Sequence, residues 1–237
     1  MIPLKDDVPS RSKPLVTWIL IALNVAVYVY QLSLGLSADT GGRAAAEAFV
    51  FEFGATPCRL TGTCDRGDFP SPYVTIFTSM FLHGSPLHVA GNMLYLWIFG
   101  DNIEDALGHG RFLAFYLLSG VGAAVAQTVT SPTSVIPMIG ASGAVSGVLG
   151  AYLLLFPYAT ILTLVIFGFF VRTVHIPAVI VLGFWIVLQL INGWLTVSAS
   201  AMGRGEIGGV AWFAHIGGFL AGMVLLLLFR PRTSRRP

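Results

Sequence analysis

Long stretches without charge are the feature that most constrains this chain. No Asp, Glu, Lys or Arg lies between Arg111 and Arg172, and the next charged residue after Arg172 is Arg204. A charge at the centre of a bilayer costs about 2.5 to 3.5 kcal/mol, so these gaps predict membrane-spanning segments. Only 10% of the residues are charged, against roughly 25% in soluble domains. We therefore expect a polytopic membrane protein.

The hydrophobic pattern predicts an all-α bundle of six transmembrane helices. The first segment has about 22 residues, which is enough to cross roughly 30 Å of hydrocarbon. It is longer than the apolar region of a signal peptide, about 7 to 15 residues, so we expect an uncleaved span. The six segments are Leu15–Leu36, Pro86–Ile103, Phe112–Thr130, Ser142–Phe156, Ala178–Leu195 and Val210–Phe229. They define a membrane domain over 15–229, between an N-terminal segment 1–14 and a basic tail 230–237.

Basic residues near both ends predict the orientation. Lys5, Arg11 and Lys13 precede the first span, and four arginines follow the last one, at 230, 232, 235 and 236. Positive segments stay cytoplasmic, so both termini should be cytoplasmic and the number of spans even. The apolar segment 159–171 is only about 13 residues long, short for a span, and we expect it to be re-entrant or interfacial. The expected location is a bacterial plasma membrane.

This orientation brings four polar side chains to one depth. Spans 2, 4 and 6 then all begin at the outer face, and near their starts lie His88, Asn92, Ser142 and His215. A serine hydroxyl needs a base to act as a nucleophile, and histidine is the usual one. No acid in span 6 could orient His215, so the pattern favours a Ser–His dyad. The alternative is that Ser142 only packs and that Asn92 only joins helices.

Donors for a developing oxyanion are also predicted. Span 4 is expected to start close to Ser142, and the first N–H groups of a helix have no partner inside it. His88 and Asn92 are four residues apart and therefore lie on one helix face. Either could add a side-chain donor.

Small residues recur every four positions in spans 4 and 6. One series is Gly143 with Gly147, and the other is Ala214, Gly218 and Gly222. Such faces let helices approach closely. This spacing indicates packing by itself, and it matters because it would bring Ser142 within reach of His215.

Metal, cofactor and nucleic-acid functions have no support in the sequence. Two cysteines, Cys58 and Cys64, do not make a zinc site, and there is no HExxH motif. They form a local disulfide if their loop is extracytoplasmic, and remain free thiols otherwise. No basic stripe with interleaved aromatic residues suggests nucleic acid. We expect no metal and no cofactor.

In order along the chain, these residues resemble the rhomboid family of intramembrane serine proteases. The matching motifs are "HGSPLHVAGN" in span 2, "GASG" at 140–143 and "AHIGGFLAG" at 214–222. The resemblance implies that Ser142 is the nucleophile, His215 the base, and His88 and Asn92 the oxyanion donors. It gives His83 and the motif glycines Gly140, Gly143, Gly218 and Gly222 supporting roles. Glu104 and Gly108 look like a structural motif of the family.

Two positions depart from the family pattern. Many members have a tyrosine four residues after the nucleophile, packed against the histidine, and this chain has Ser146 there. The family's Trp-Arg pair in the first outer loop is also missing, and "CRLTGTC" occupies that region. The expected differences concern histidine positioning and loop docking.

The resulting hypothesis is an endopeptidase that cleaves transmembrane segments of membrane-protein substrates near the outer leaflet, in contact with lipid. The Gly- and Ser-rich connection 198–209 is a candidate mobile lid. A small transporter is the rival from another class, and the lack of carboxylates in the spans disfavours it. An inactive rhomboid-like binder or chaperone is the second rival, and the presence of both Ser142 and His215 disfavours it. The natural substrate and the oligomeric state stay open.

Overall fold

A computed structural model describes residues 1–36, 42–64, 69–168, 170–202 and 210–229. This part of the chain is mostly helical. The helices are α1 (Leu15–Gly35), α2 (Gly42–Phe53), α3 (Pro57–Thr61), α4 (Pro72–Thr78), α5 (Pro86–Leu107), α6 (His109–Thr130), α7 (Ser142–Leu155), α8 (Ala178–Ala201) and α9 (Trp212–Phe229). The basic tail 230–237 and most of the candidate lid, 203–209 with Glu206, lie outside the described residues.

Helices occur at all six predicted spans, and four of them are long and apolar enough to cross a membrane. These four are α1, α6, α8 and α9. Helix α7 is apolar but has only 14 residues. Helix α5 has 22 residues and carries Asp101, Glu104 and Asp105 near its C-terminal end. The described helices therefore support an integral membrane protein, with four candidate spans rather than six by length and composition.

Helix α1 buries a polar face and exposes an apolar one, as a membrane helix does. Its buried face contains Thr17, Asn24 and Gln31, whereas Ile19 and Val29 are each more than half exposed. Polar side chains find hydrogen-bond partners inside the bundle, and apolar ones can face lipid at no cost. The apolar surface of α1 is thus suited to contact hydrocarbon.

The mostly helical fold agrees with the expected all-α class, and the described residues also contain one small β-sheet that the sequence did not predict. The segment that we expected to be re-entrant or interfacial forms a β-hairpin of β2 (Thr160–Phe167) and β3 (Phe170–Pro177). The N-terminal strand β1 (Ile2–Asp6) pairs antiparallel with β2, so the sheet order is β1-β2-β3. Thr, Val and Ile are β-branched and favour strands. The turn of the hairpin is formed at Gly168, which has a φ of 58°.

Close packing of α7 against α9 positions the site. A methyl group added to Gly218 would collide with the carbonyl oxygen of Gly143, and one added to Gly222 would collide with that of Gly147. Only glycine therefore allows this approach at both positions of α9. The two helices run in the same direction, so the first turn of α9 lies beside the start of α7.

Candidate active site

The side chains of Ser142 and His215 lie in direct contact. Ser142 is the first residue of α7, and His215 lies in the first turn of α9. The distance from Ser142 Oγ to His215 Nε2 is 2.8 Å, which is hydrogen-bond length. A hydroxyl that donates to an unprotonated imidazole nitrogen has the arrangement of a nucleophile beside its base.

Gly140 allows His88 and Asn92 to approach the turn before Ser142. Its φ of 119° lies in the region that favours glycine. A Cβ atom on Gly140 would lie 2.7 Å from His88 Nε2 and 3.6 Å from Asn92 Nδ2. Both side chains thus lie against the backbone two residues before the serine. In this turn Val145 N–H donates to Ala141 O at 2.9 Å, and the earlier N–H groups of a helix have no carbonyl partner inside it.

Asn92 is held by His83. The Asn92 amide donates to His83 Nε2 over 3.0 Å. Gln31 of α1 fixes His83 in turn, because its amide donates to His83 O at 3.2 Å and accepts from His83 N–H at 3.0 Å. An amide carries two N–H groups, so Asn92 has a second one beyond its bond to His83. His83 therefore contacts the site through Asn92.

These side chains border a cavity of about 560 Å³. It is large enough for a short peptide segment rather than a single water. Its lining combines polar groups with apolar and aromatic walls: His88, Asn92, Tyr95, Ser142, Val145, Ser146, Trp185 and His215. Four helices, α5, α7, α8 and α9, therefore contribute to one pocket around Ser142.

Three side chains near the site were missed from the sequence. Gln189 of α8 lies with its Oε1 2.8 Å from His215 Nδ1. The ring of Trp185, one turn earlier, lies 6.0 Å from the His215 ring, centroid to centroid. Gln127 of α6 accepts from the Ala214 N–H at 3.3 Å. For the two glutamines the available signal was an isolated amide in an apolar span, which tends to bond across helices; that signal does not apply to Trp185.

Ser146 does not contact the histidine ring. Its hydroxyl donates to the carbonyl oxygen of Ser142 at 2.6 Å, a bond within α7. The aromatic neighbours of His215 are instead Trp185 and Trp212. In this chain α8 therefore supplies the ring that the family pattern expects from α7.

The cysteine loop packs against the segment that leads to Ser142. Cys58 and Cys64 are joined in a disulfide. Cys58 N–H donates to Ser134 O at 3.0 Å, and Ala55 forms a β-bridge with Met138. The buried Arg59 donates to Pro70 O at 2.8 Å. The loop thus supports the 134–138 segment through backbone contacts.

Glu104 lies at the other end of α5 and is fully buried. Its carboxylate accepts from Val16 N–H, from both the N–H and the hydroxyl of Thr17, and from His109 Nδ1, at 2.5 to 2.9 Å. Gly108, with a φ of 83°, ends α5 and begins α6. This pair joins three helices and lies apart from the cavity.

Comparisons with known proteins agree on one family. The Rhomboid domain family matches residues 70–232. Rhomboid protease GluP of Bacillus subtilis is 32% identical over 216 residues, covering 91% of this chain and 36% of GluP. Rhomboid protease AarA of Providencia stuartii is 33% identical over 148 residues, covering 57% of this chain and 48% of AarA. Rhomboid protein 1, mitochondrial, of Saccharomyces cerevisiae is 29% identical over 161 residues, which cover 66% of this chain and 42% of the yeast protein. The chain thus spans between a third and a half of the length of these relatives.

Proposed function

Because this chain belongs to the rhomboid family, we propose that it is an intramembrane serine endopeptidase acting on transmembrane segments of other membrane proteins. The observation that carries the proposal is the 2.8 Å contact between Ser142 Oγ and His215 Nε2. The names of two relatives, rhomboid protease GluP and rhomboid protease AarA, support it.

The reaction proceeds through an acyl-enzyme. Ser142 Oγ attacks the scissile carbonyl while His215 Nε2 takes the hydroxyl proton, and a tetrahedral intermediate forms. His215 then gives the proton to the leaving amine, and the C–N bond breaks. A water molecule, deprotonated by the same nitrogen, attacks the ester and releases Ser142. Two side chains are enough for both half-reactions because one histidine alternates between base and acid.

The negative charge of the intermediate needs donors that are in place beforehand. The proposed donors are Ser142 N–H and the side chains of His88 and Asn92. Their support is the approach of both side chains to Gly140, two residues before the nucleophile. The substrate helix must unwind before attack, since a regular helix uses its carbonyls in its own hydrogen bonds. We therefore expect cleavage next to small or helix-breaking residues.

The proposed orientation places both termini in the cytoplasm and the site near the outer leaflet, within six spans. The Cys58–Cys64 disulfide supports it, because disulfides persist in oxidising compartments. Among the described residues before this loop, α1 is the one helix long and apolar enough to cross a membrane. A bacterial plasma membrane stays a prediction, since the relatives include bacterial, yeast mitochondrial and plant proteins.

The test uses the purified chain reconstituted in lipid vesicles with a labelled transmembrane substrate. Ser142→Ala and His215→Ala should lower the cleavage rate about 10⁴-fold or more, because neither residue works without the other. A fluorophosphonate probe should label the wild type at Ser142 and should fail to label Ser142→Ala. Mass spectrometry of the products should place the cut within the transmembrane segment.

Matched controls are available in the same chain. Ser33 is an exposed serine of α1 that bonds its own helix, and His175 is exposed in β3, so Ser33→Ala and His175→Ala should keep wild-type activity. Unchanged cleavage by Ser142→Ala would overturn the mechanism. A wild type that binds substrate but neither cleaves it nor reacts with the probe would favour the inactive binder.

A further inference from the structure

We propose that Gln189 is the positioning residue of His215, taking the place that an acidic side chain occupies in a catalytic triad. Its amide oxygen accepts the Nδ1 proton of the imidazole and so holds the ring in the tautomer whose Nε2 can receive the Ser142 proton. The proposal rests on the function proposed above, and it concerns a residue of α8 that no sequence motif indicated.

Both nitrogens of the His215 ring have a partner in the structure. Nε2 lies 2.8 Å from Ser142 Oγ, and Nδ1 lies 2.8 Å from Gln189 Oε1. The ring is therefore held between α7 and α8, although it belongs to α9. Gln189 is 6% exposed, so little water can compete for this bond.

A second hydrogen bond fixes which way the Gln189 amide points. Its Nε2 donates to the carbonyl oxygen of Trp185 at 3.1 Å, one turn back in α8. A carbonyl can only accept, so the amide nitrogen must face Trp185 and the amide oxygen must face His215. An oxygen of this kind cannot donate, so His215 Nδ1 must carry the proton. Nε2 of the neutral ring is then left unprotonated, as a base for Ser142 requires.

An amide suits this position better than a carboxylate for a membrane protein. Neither α8 nor α9 contains an Asp or Glu, and a buried charge in the membrane is costly. A neutral amide orients the ring without adding a charge of its own. It stabilises the imidazolium less than a carboxylate would, so its contribution is mainly to orientation and tautomer.

Helix α8 also supplies a wall for the same ring. The Trp185 and His215 rings lie at 37° with centroids 6.0 Å apart. Trp185 and Gln189 are four residues apart and so lie on one face of α8. One helix face thus borders the imidazole ring and supplies the bond to its Nδ1, whereas the Ser146 hydroxyl bonds within α7.

Three variants test the proposal. Gln189→Leu removes the acceptor at similar volume. Gln189→Glu keeps an oxygen that accepts from Nδ1–H in either protonation state. Asn192→Leu is the matched control, because Asn192 is an amide of α8 that bonds the carbonyl four residues back and lies outside the cavity lining.

The expected result separates positioning from folding. Gln189→Leu should lower kcat and the rate of fluorophosphonate labelling about 10- to 100-fold, the range found when the orienting partner of a metal-bound histidine is lost, with KM nearly unchanged. Gln189→Glu should restore most of kcat, and Asn192→Leu should match the wild type. The thermal midpoint of Gln189→Leu should stay close to that of Asn192→Leu.

A direct readout does not depend on activity. The ¹⁵N spectrum of histidine-labelled protein in micelles should show His215 with Nδ1 protonated and Nε2 bare, and Gln189→Leu should mix the two tautomers. The His215 signals are identified by their loss in His215→Ala. An unchanged tautomer in Gln189→Leu, or a lowered kcat that Gln189→Glu does not rescue, would overturn the proposal. Inactive wild-type protein with the expected tautomer would instead reject the peptidase function while supporting the contact.

Discussion

Helix α5 carries a buried polar side chain at each end, Asn92 toward its start and Glu104 toward its end, and the two are satisfied differently. Glu104 is fully buried and accepts four hydrogen bonds from α1 and α6. Asn92 borders the 560 Å³ cavity, and its side-chain amide donates a hydrogen bond to His83. A saturated network stabilises the fold, whereas a donor beside a cavity is available to a ligand. The comparison predicts that the Glu104 end of α5 stabilises the fold and that the Asn92 end serves the proposed chemistry.

The first prediction concerns the hydrogen-bond network of Glu104. Glu104→Ala should lower the free energy of unfolding by about 3 to 5 kcal/mol, because buried N–H groups of α1 lose a charged acceptor. Denaturation in detergent measures the loss. Asp105→Ala is the control, since Asp105 bonds Ser12 in an exposed position and should cost about 1 kcal/mol or less. Equal losses in the two variants would refute the assignment.

The second prediction concerns Asn92, beside the cavity. Asn92→Ala should lower kcat about 10²- to 10³-fold, equivalent to about 2.7 to 4 kcal/mol of transition-state stabilisation, as removal of an oxyanion donor does. Its effect on unfolding should be much smaller than that of Glu104→Ala. Steady-state cleavage and thermal unfolding are measured on the same samples, with Asn192→Ala as the control. A loss of stability without a loss of kcat would make Asn92 a structural residue.

The third prediction concerns the close contact between α7 and α9, which carry Ser142 and His215. It tests whether the candidate site depends on this helix packing. Gly222→Ala places a methyl group against Gly147 of α7 and should cost about 1 to 3 kcal/mol of stability. Cleavage should fall with it, because α7 and α9 carry Ser142 and His215. Gly183→Ala in α8 meets no atom within 4 Å, so it should be neutral or gain up to about 1 kcal/mol. Identical behaviour of the two variants would contradict the close-packing argument.

The same contrast shows what the sequence could predict. Charge-free runs predicted helices, because hydropathy is a property of single segments. The expected orientation predicted that Ser142 and His215 lie at one depth, and in the structure their side chains are in contact. The hairpin was missed because a short apolar run rich in β-branched residues fits a strand as well as an interfacial segment. Gln189 was missed because an amide in an apolar helix does not reveal its partner. Which side chains fill the space around His215 depends on the packing of α8, which no motif encodes.

The smallest predicted effect concerns Asp6 in β1, which accepts from the Tyr152 hydroxyl of α7 at 2.6 Å. Burial raises the pKa of Asp6 from 3.8 to about 6, although the Tyr152 hydrogen bond opposes the rise. Between these values the folded chain binds more protons than the unfolded chain, so stability falls as pH rises from about 4 to about 6.

Asp6→Asn should therefore raise the thermal midpoint at pH 7 by a few degrees at most, with the gain vanishing near pH 4. Asp7→Asn is the control, since Asp7 accepts instead from the Thr160 N–H and should keep the wild-type trend. If the thermal midpoint of Asp6→Asn followed that of the wild type at every pH, burial would not raise the pKa of Asp6.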